Sequence, residues 1–218
     1  IGNIKWSTYN GRQFDKAFLN QLSWEEWQRQ VQFLQENLTD EVIEKGFDNW
    51  PIQLQNEKTE EIKAILRYRR DHLMELARQY YEHLAKEVEI TGTNDPDLFL
   101  VTREDQTTTV AVWELDDGEP EDKIFERTFV NEETKEIRLY GFEDEDRFEL
   151  SGEATDGIRI RIIGGEDEDI VADRSRVRGW GKKTKVYDTK TGNILDLGKE
   201  GKDLTSDQSN LNLYHRRD

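Results

Sequence analysis

The side chains best able to do chemistry in this chain are two runs of carboxylates, Glu143-Asp144-Glu145-Asp146 and Glu166-Asp167-Glu168-Asp169, each close behind a glycine. Unit charges about 4 Å apart repel by about 1 kcal/mol even in bulk water, so four carboxylates in one turn invite a cation. Calcium, which takes roughly six to eight oxygen ligands, is the ion such turns suit. Asp144, Asp146, Asp167 and Asp169 are the candidate ligands, and no other cofactor is implied.

The second run, Gly164-Gly165-Glu166-Asp167-Glu168-Asp169-Ile170-Val171, resembles the glycine- and aspartate-rich calcium repeat of parallel β-rolls, with Asp167 where that pattern has glycine. A basic strip lies beyond it: Arg174, Arg176, Arg178, Trp180, Lys182 and Lys183. The strip fails the phosphate-loop spacing, because Lys183 stands where Ser or Thr is required. It reads instead as an electrostatic docking strip, or a loop folded against the acidic turns. A second basic stretch, Arg67, Arg69 and Arg70, sits in a helical region; it reads as a solvated helix face, with phosphate contact as the alternative.

Catalytic signatures are missing. There is no GxSxG elbow, and zero cysteines exclude thiolate chemistry and disulfides. His72 and His83, eleven residues apart, would lie about 16 Å apart along a helix and cannot share a metal. No catalytic residue is assigned, and the expectation is a non-enzymatic segment.

The elements that must position these residues change character along the chain. Ser23 and Glu26 have capping-box spacing ahead of Trp24, Trp27, Val31 and Leu34, which predicts a helix over 24–37. Thr39 can cap a short helix that Gly46 ends. From Thr59 to Val88 the apolar residues recur near every 3.6 positions, predicting a long helix bent near Leu73. Around Gly92 the pattern becomes alternating, and Thr93-Asn94-Asp95-Pro96 is a run of turn formers. Strands are predicted over 98–102, 107–115, 123–129 and 135–140, the first two forming a hairpin that turns at 103–106.

A duplication organises the rest of the chain. Residues 137–146, IRLYGFEDED, and 160–169, IRIIGGEDED, agree at seven of ten positions with an offset of 23; a weaker copy, TKVYDTKTGN, begins at Thr184. Such periods mark stacked units that bury a core only by sitting on one another. The prediction is an α+β chain: a helical subdomain over 1–92, a β-rich repeat domain over 93–205 and an extended tail over 206–218. The β region is expected to be a short β-solenoid, with Ile137, Leu139, Ile160, Ile162 and Val186 inside and Arg138, Arg161 and Lys185 outside; a β-sandwich is the second choice.

The formal charge of −17 is unevenly spread: 12 basic and 16 acidic residues over 1–92, 8 and 26 over 93–173, 11 and 6 over 174–218. Nucleic acid is therefore not an expected partner of the middle third. A cation, a basic surface or the chain's own basic tail is. No apolar run reaches the roughly 20 residues of a membrane-spanning helix. Ile1 at the start and an uncapped end predict a segment of a longer chain, with neighbouring domains as partners.

The runs LTDEVIEKGFDNWP, RRDHLMELARQYYEHLAKEVEITGT and ERTFVNEETKEIRLYGFEDEDRFELSGEATDGIRIRIIGGEDED resemble a segment of large outer-membrane proteins of Bacteroidota-type bacteria. Those proteins join a metallophosphoesterase-like region to a C-terminal surface-antigen (Omp85-like) barrel. The resemblance implies an exported segment near the outer membrane, acting as a scaffold between its neighbours. The phosphoesterase's metal-binding Asp and His motifs are absent from these residues, so its activity is not implied here. The alternative is that the helical part closes an upstream phosphate-handling lobe.

Overall fold

The computed structural model describes residues 9–19, 21–179 and 181–207. The chain is α+β and divides into two compact units, Ile1–Asp15 with Leu22–Leu84, and Lys16–Gln21 with Ala85–Asp218. Helix α1 (Arg12–Leu19) straddles that division.

In the helical unit, Ser23 and Glu26 form the expected capping box at the start of α2 (Trp24–Asn37), which satisfies amide donors that the first turn leaves free. Thr39 caps α3 (Asp40–Lys45) through the Val42 amide, and Gly46 ends it. The predicted long helix is two: α4 (Glu57–Asp71) and α5 (Leu73–Leu84), parted at His72. Trp24 and Trp27 of α2 meet Tyr80 and Tyr81 of α5 at ring-centroid separations of 5.4–6.4 Å. Edge and tilted pairs of this kind add about 0.5–1.5 kcal/mol beyond their burial. The helix does not reach Val88, which lies in strand β1 (Glu87–Thr91). Val88 and Ile90 alternate there with exposed or half-buried neighbours, so period two replaces period 3.6 five residues before Gly92.

The β unit holds β2 (Asp97–Arg103), β3 (Thr107–Asp116), β4 (Glu119–Val130), β5 (Glu136–Phe142), β6 (Arg147–Ala154), β7 (Arg159–Gly165), β8 (Ile170–Asp173), β9 (Arg176–Val177), β10 (Thr184–Tyr187), β11 (Ile194–Leu197) and β12 (Gly201–Asp203). One sheet runs β1-β5-β7-β10-β12, every neighbour parallel. The other runs β11-β8-β6-β2-β3-β4, parallel from β11 to β2; β3 and β4 extend it as an antiparallel hairpin.

The duplicated blocks lie directly against each other. Ile137 pairs with Ile160 and Leu139 with Ile162 in the first sheet; Arg147 pairs with Ile170 and Phe148 with Val171 in the second. Thr184 and Val186 continue the first register, and Ile194 and Leu195 the second. The chain thus alternates between sheets, one strand in each per pass, and the 23- and 24-residue offsets keep each pass under its predecessor. Val88, Ile137, Leu139, Ile160, Ile162 and Val186 are completely buried and face Phe99, Val101, Phe148, Leu150 and Val171 across the core. Phe99 stacks on Phe148 at 4.6 Å, a pair directly aligned between β2 and β6.

Candidate interaction surface on two charged edges

Each pass crosses from the first sheet to the second through a turn, acidic at 143–146 and 166–169, and returns through a loop, which gives the β unit two edges of different chemistry. On the acidic edge the four candidate calcium ligands divide into two pairs. Asp144 and Asp167 are exposed and adopt left-handed backbone, φ 66° and 72°. Aspartate tolerates that region better than most residues, and Asp167 occupies it where the calcium-roll pattern has glycine. The Asp144 amide donates to Asp167 Oδ2 at 3.3 Å.

Asp146 and Asp169 point inward and are 1% exposed. They belong to a hydrogen-bonded column running the length of the stack. The Asp97 amide donates to Asp146 Oδ1 (2.9 Å), the Asp146 amide to Asp169 Oδ1 (2.9 Å), and the Asp169 amide to Asn193 Oδ1 (2.7 Å). Each side chain therefore caps the turn of the pass before it. Glycine makes room: a Cβ at Gly141 would lie 1.9 Å from Asp146 Oδ2 and 2.5 Å from the Gly164 carbonyl. At Gly164 it would lie 1.9 Å from Asp169 Oδ2 and 2.2 Å from Asp188 Oδ2.

Burial away from water disfavours the charged form of these groups. It pushes Asp146 up to about 8, helped by the neighbouring carboxylates of Asp97, Asp144 and Asp188 and opposed by the Asp97 amide. Asp97 is raised by burial against its Thr93 contacts. Burial raises both Asp169 and Asp188, and the nearby Asp188 carboxylate adds to the rise at Asp169. Carboxyls held neutral near pH 7 lower the charge of the folded chain below its formal value, and a cation would have to displace their protons first. Among the described residues no three His, Cys, Asp or Glu side chains form a group able to hold a metal ion.

The return edge carries the basic strip. Arg174, Arg176 and Arg178 are exposed on the segment around β9, which pairs with Glu153–Ala154 of β6. Lys182 Nζ donates to the Gly201 carbonyl at 2.5 Å, and Lys183 pairs with Asp156 at 2.9 Å. Trp180 lies outside the described residues, as do 208–218 of the predicted tail. The strip does not fold against the acidic turns, because the two belong to opposite crossings of the stack.

Arg67 and Arg70, the alternative phosphate contacts, are engaged within the helical unit. Arg67 pairs with Glu44, and Arg70 with Asp40 (2.6 Å) and Asp71 (2.8 Å). Arg69 is exposed.

Two features escaped the sequence reading. Arg103, expected in a hairpin turn, is the last residue of β2 and is 1% exposed. Its guanidinium donates to Ser175 Oγ (3.1 Å), the Ile158 carbonyl (2.6 Å) and Thr184 Oγ1 (3.1 Å), so it pins successive passes together. Burial lowers its pKa, while Asp173 and Glu200 favour its charge. The other is Asp97, whose signal was the five-residue step from Gly92, repeated in Gly141–Asp146 and Gly164–Asp169.

No protein-family model matches the chain, and neither the curated proteins nor the solved structures contain a significant match. No helix among the described residues is long and apolar enough to cross a membrane.

Proposed function

We propose that the chain is a non-catalytic scaffold and interaction segment, whose β unit is a short solenoid that holds charged side chains in columns at the strand spacing. The observation that carries this reading is the in-register pairing of the two copies, Ile137 on Ile160 and Phe148 on Val171. Parallel neighbours sit about 4.8 Å apart, so Glu143, Asp144 and Glu145 recur one strand spacing away as Glu166, Asp167 and Glu168. A body of this kind presents a repeated acidic edge without having to order it on binding, which lowers the entropic cost of association. The complementary partner is a basic extended segment, including one from a neighbouring domain, with calcium at the exposed carboxylates as the second occupant to test, since no ready-made group of metal ligands is present among the described residues. The resemblance to outer-membrane proteins supports an exported setting close to that membrane; the reading frame around the segment, with or without a barrel downstream, decides this part.

Calorimetric titration of calcium and, separately, of an oligolysine peptide at low ionic strength tests the acidic edge. Binding is expected to weaken at least tenfold when Glu143, Glu145, Glu166 and Glu168 are all replaced by Gln. No heat from either ligand with the wild-type chain removes the reading.

A further inference from the structure

The return edge contains a groove that the acidic-edge reading does not use. It has a volume of 480 Å³ and is lined by Arg176, Arg178 and Lys199, by Glu153, Glu200 and Asp105, and by a floor that includes Ala154 and Val177. That volume is in the range of small-molecule sites, about 300–1,000 Å³. It opens where the stack fails to close. β9 pairs with β6 on one side, and among the described residues no strand pairs with its other side. Lys199 and Glu200, one repeat of 23 residues beyond Arg176 and Val177, form the opposing wall. Gly198 is still held by the Asp173 carbonyl at 2.9 Å and Thr184 still donates to the Glu200 carbonyl at 3.1 Å, so the wall is anchored at both ends.

The charges in the groove are unequally committed. The acids have work within the fold: Asp105 Oδ1 accepts from the Thr155 amide (2.9 Å) and hydroxyl (3.1 Å), and Glu200 contributes to the field at buried Arg103. Glu153 is tied only loosely, 3.7 Å from Arg176, with both side chains more than two-thirds exposed. The exposed side chains of Arg178 and Lys199 have no acidic partner among the described residues. Two free cations and a third in a loose pair thus converge on a concave site with a partly apolar floor. We propose that this groove binds a small oxyanion, a phosphoryl or carboxylate group on a compact organic molecule, through Arg178 and Lys199 with Arg176 as a third donor. A guanidinium matches either oxyanion with paired N–H donors. The chain as a whole repels anions, so binding here requires the local convergence of donors and not long-range attraction.

Inorganic pyrophosphate and glutarate, each titrated calorimetrically into the whole chain at low salt, separate the two sources. Tighter binding of pyrophosphate assigns a phosphoryl ligand, and tighter binding of glutarate a carboxylate. The double variant Arg178→Ala/Lys199→Ala is expected to lose at least about tenfold in affinity for the bound probe, equivalent to about 1.4 kcal/mol, with its melting temperature unchanged. Arg174→Ala, on the same edge but outside the groove, is expected to bind like wild type. Absence of binding by both probes, or equal weakening by Arg174→Ala, overturns the proposal. Neither result bears on the acidic edge, whose four glutamates lie outside the groove.

Discussion

Two sets of buried carboxylates sit in the same β unit and reach opposite protonation states. Glu136, at the start of β5, is 4% exposed, and burial by itself would raise its pKa. Arg138 (2.8 Å), Arg159 (3.1 Å) and Arg161 (3.0 Å) surround it and hold it below the usual range instead. Asp146, likewise almost unexposed but set deeper in the protein, meets one backbone amide, that of Asp97, and other carboxylates, and its pKa rises to about 8. The outcomes diverge for two reasons: Asp146 lies deeper in the protein than Glu136, and its neighbours are carboxylates where those of Glu136 are guanidiniums. Glu136 pairs in register with Glu87 on one side and Arg159 on the other, and Arg138 and Arg161 also reach it, so the surrounding guanidiniums outweigh the like neighbour. In the inward column no cation intervenes, and aspartate lies under aspartate.

The largest consequence is in pH dependence. Asp146 has a folded-state pKa raised above its unfolded value near 3.9. Its contribution to stability is fully present below that value and declines as pH rises through about 8, at up to roughly 1.4 kcal/mol per pH unit where the folded state holds the proton and the unfolded state does not. Asp146→Asn should remove this slope and leave the variant more stable than wild type at pH 8.5. Asn193 already plays that part in the next pass but one, accepting the Asp169 amide with an uncharged side chain. Urea denaturation from pH 5 to 8.5 measures it, and a slope unchanged by the substitution would contradict the assignment.

A steric break of the same column comes next. Gly141→Ala places a methyl group 2.5 Å from the Gly164 carbonyl, a backbone atom that no side-chain rotation can move away. The expected loss is about 3 kcal/mol in urea denaturation at pH 6. Ala at Gly118, which has open space around it, should cost less despite its positive φ, and a reversal of that order would show that the column is loosely packed.

Glu136→Gln sharpens the other half of the comparison. It removes the charge that three arginines share, while Arg159 stays about half exposed and can turn to water. The loss should be about 1–2 kcal/mol at pH 7. Because the folded pKa of Glu136 is depressed, its contribution is present above the unfolded value near 4.3 and fades as pH falls through the folded pKa. The variant and wild type should therefore converge in acid, the reverse of the Asp146 case.

How far these features could be read in advance depended on periodicity. The caps at Ser23 and Thr39, the inward Ile137, Leu139, Ile160, Ile162 and Val186, and the stacking of the two ten-residue blocks all derive from local spacing, and the structure shows each. The division of each acidic run was not legible as composition. Strand alternation alone would put residues two apart on the same side; the left-handed backbone at Asp144 and Asp167 breaks it, leaving them outside while Asp146 and Asp169 turn inward. The register that puts a glycine against each inward carboxyl exists only once the passes are stacked. Arg103 was hidden for a similar reason: its partners Ile158, Ser175 and Thr184 lie 55 to 81 residues away, and nothing near it in sequence requires burial of a charge.

The smallest effect tests the inside-outside division most directly. Asp144 and Asp167 each precede an inward aspartate by two residues, and they share its repeat and its chemical identity. They differ from it in exposure and in left-handed backbone, a conformation that Asn adopts at least as readily as Asp. Asp144→Asn combined with Asp167→Asn should therefore change stability by less than about 0.5 kcal/mol at any pH between 5 and 8.5. The 3.3 Å contact from the Asp144 amide is preserved by an amide oxygen at position 167. A loss as large as that caused by Gly141→Ala would mean that the outer pair carries the stack as much as the inner one, and the distinction between a solvated acidic edge and a buried proton-holding column would not stand.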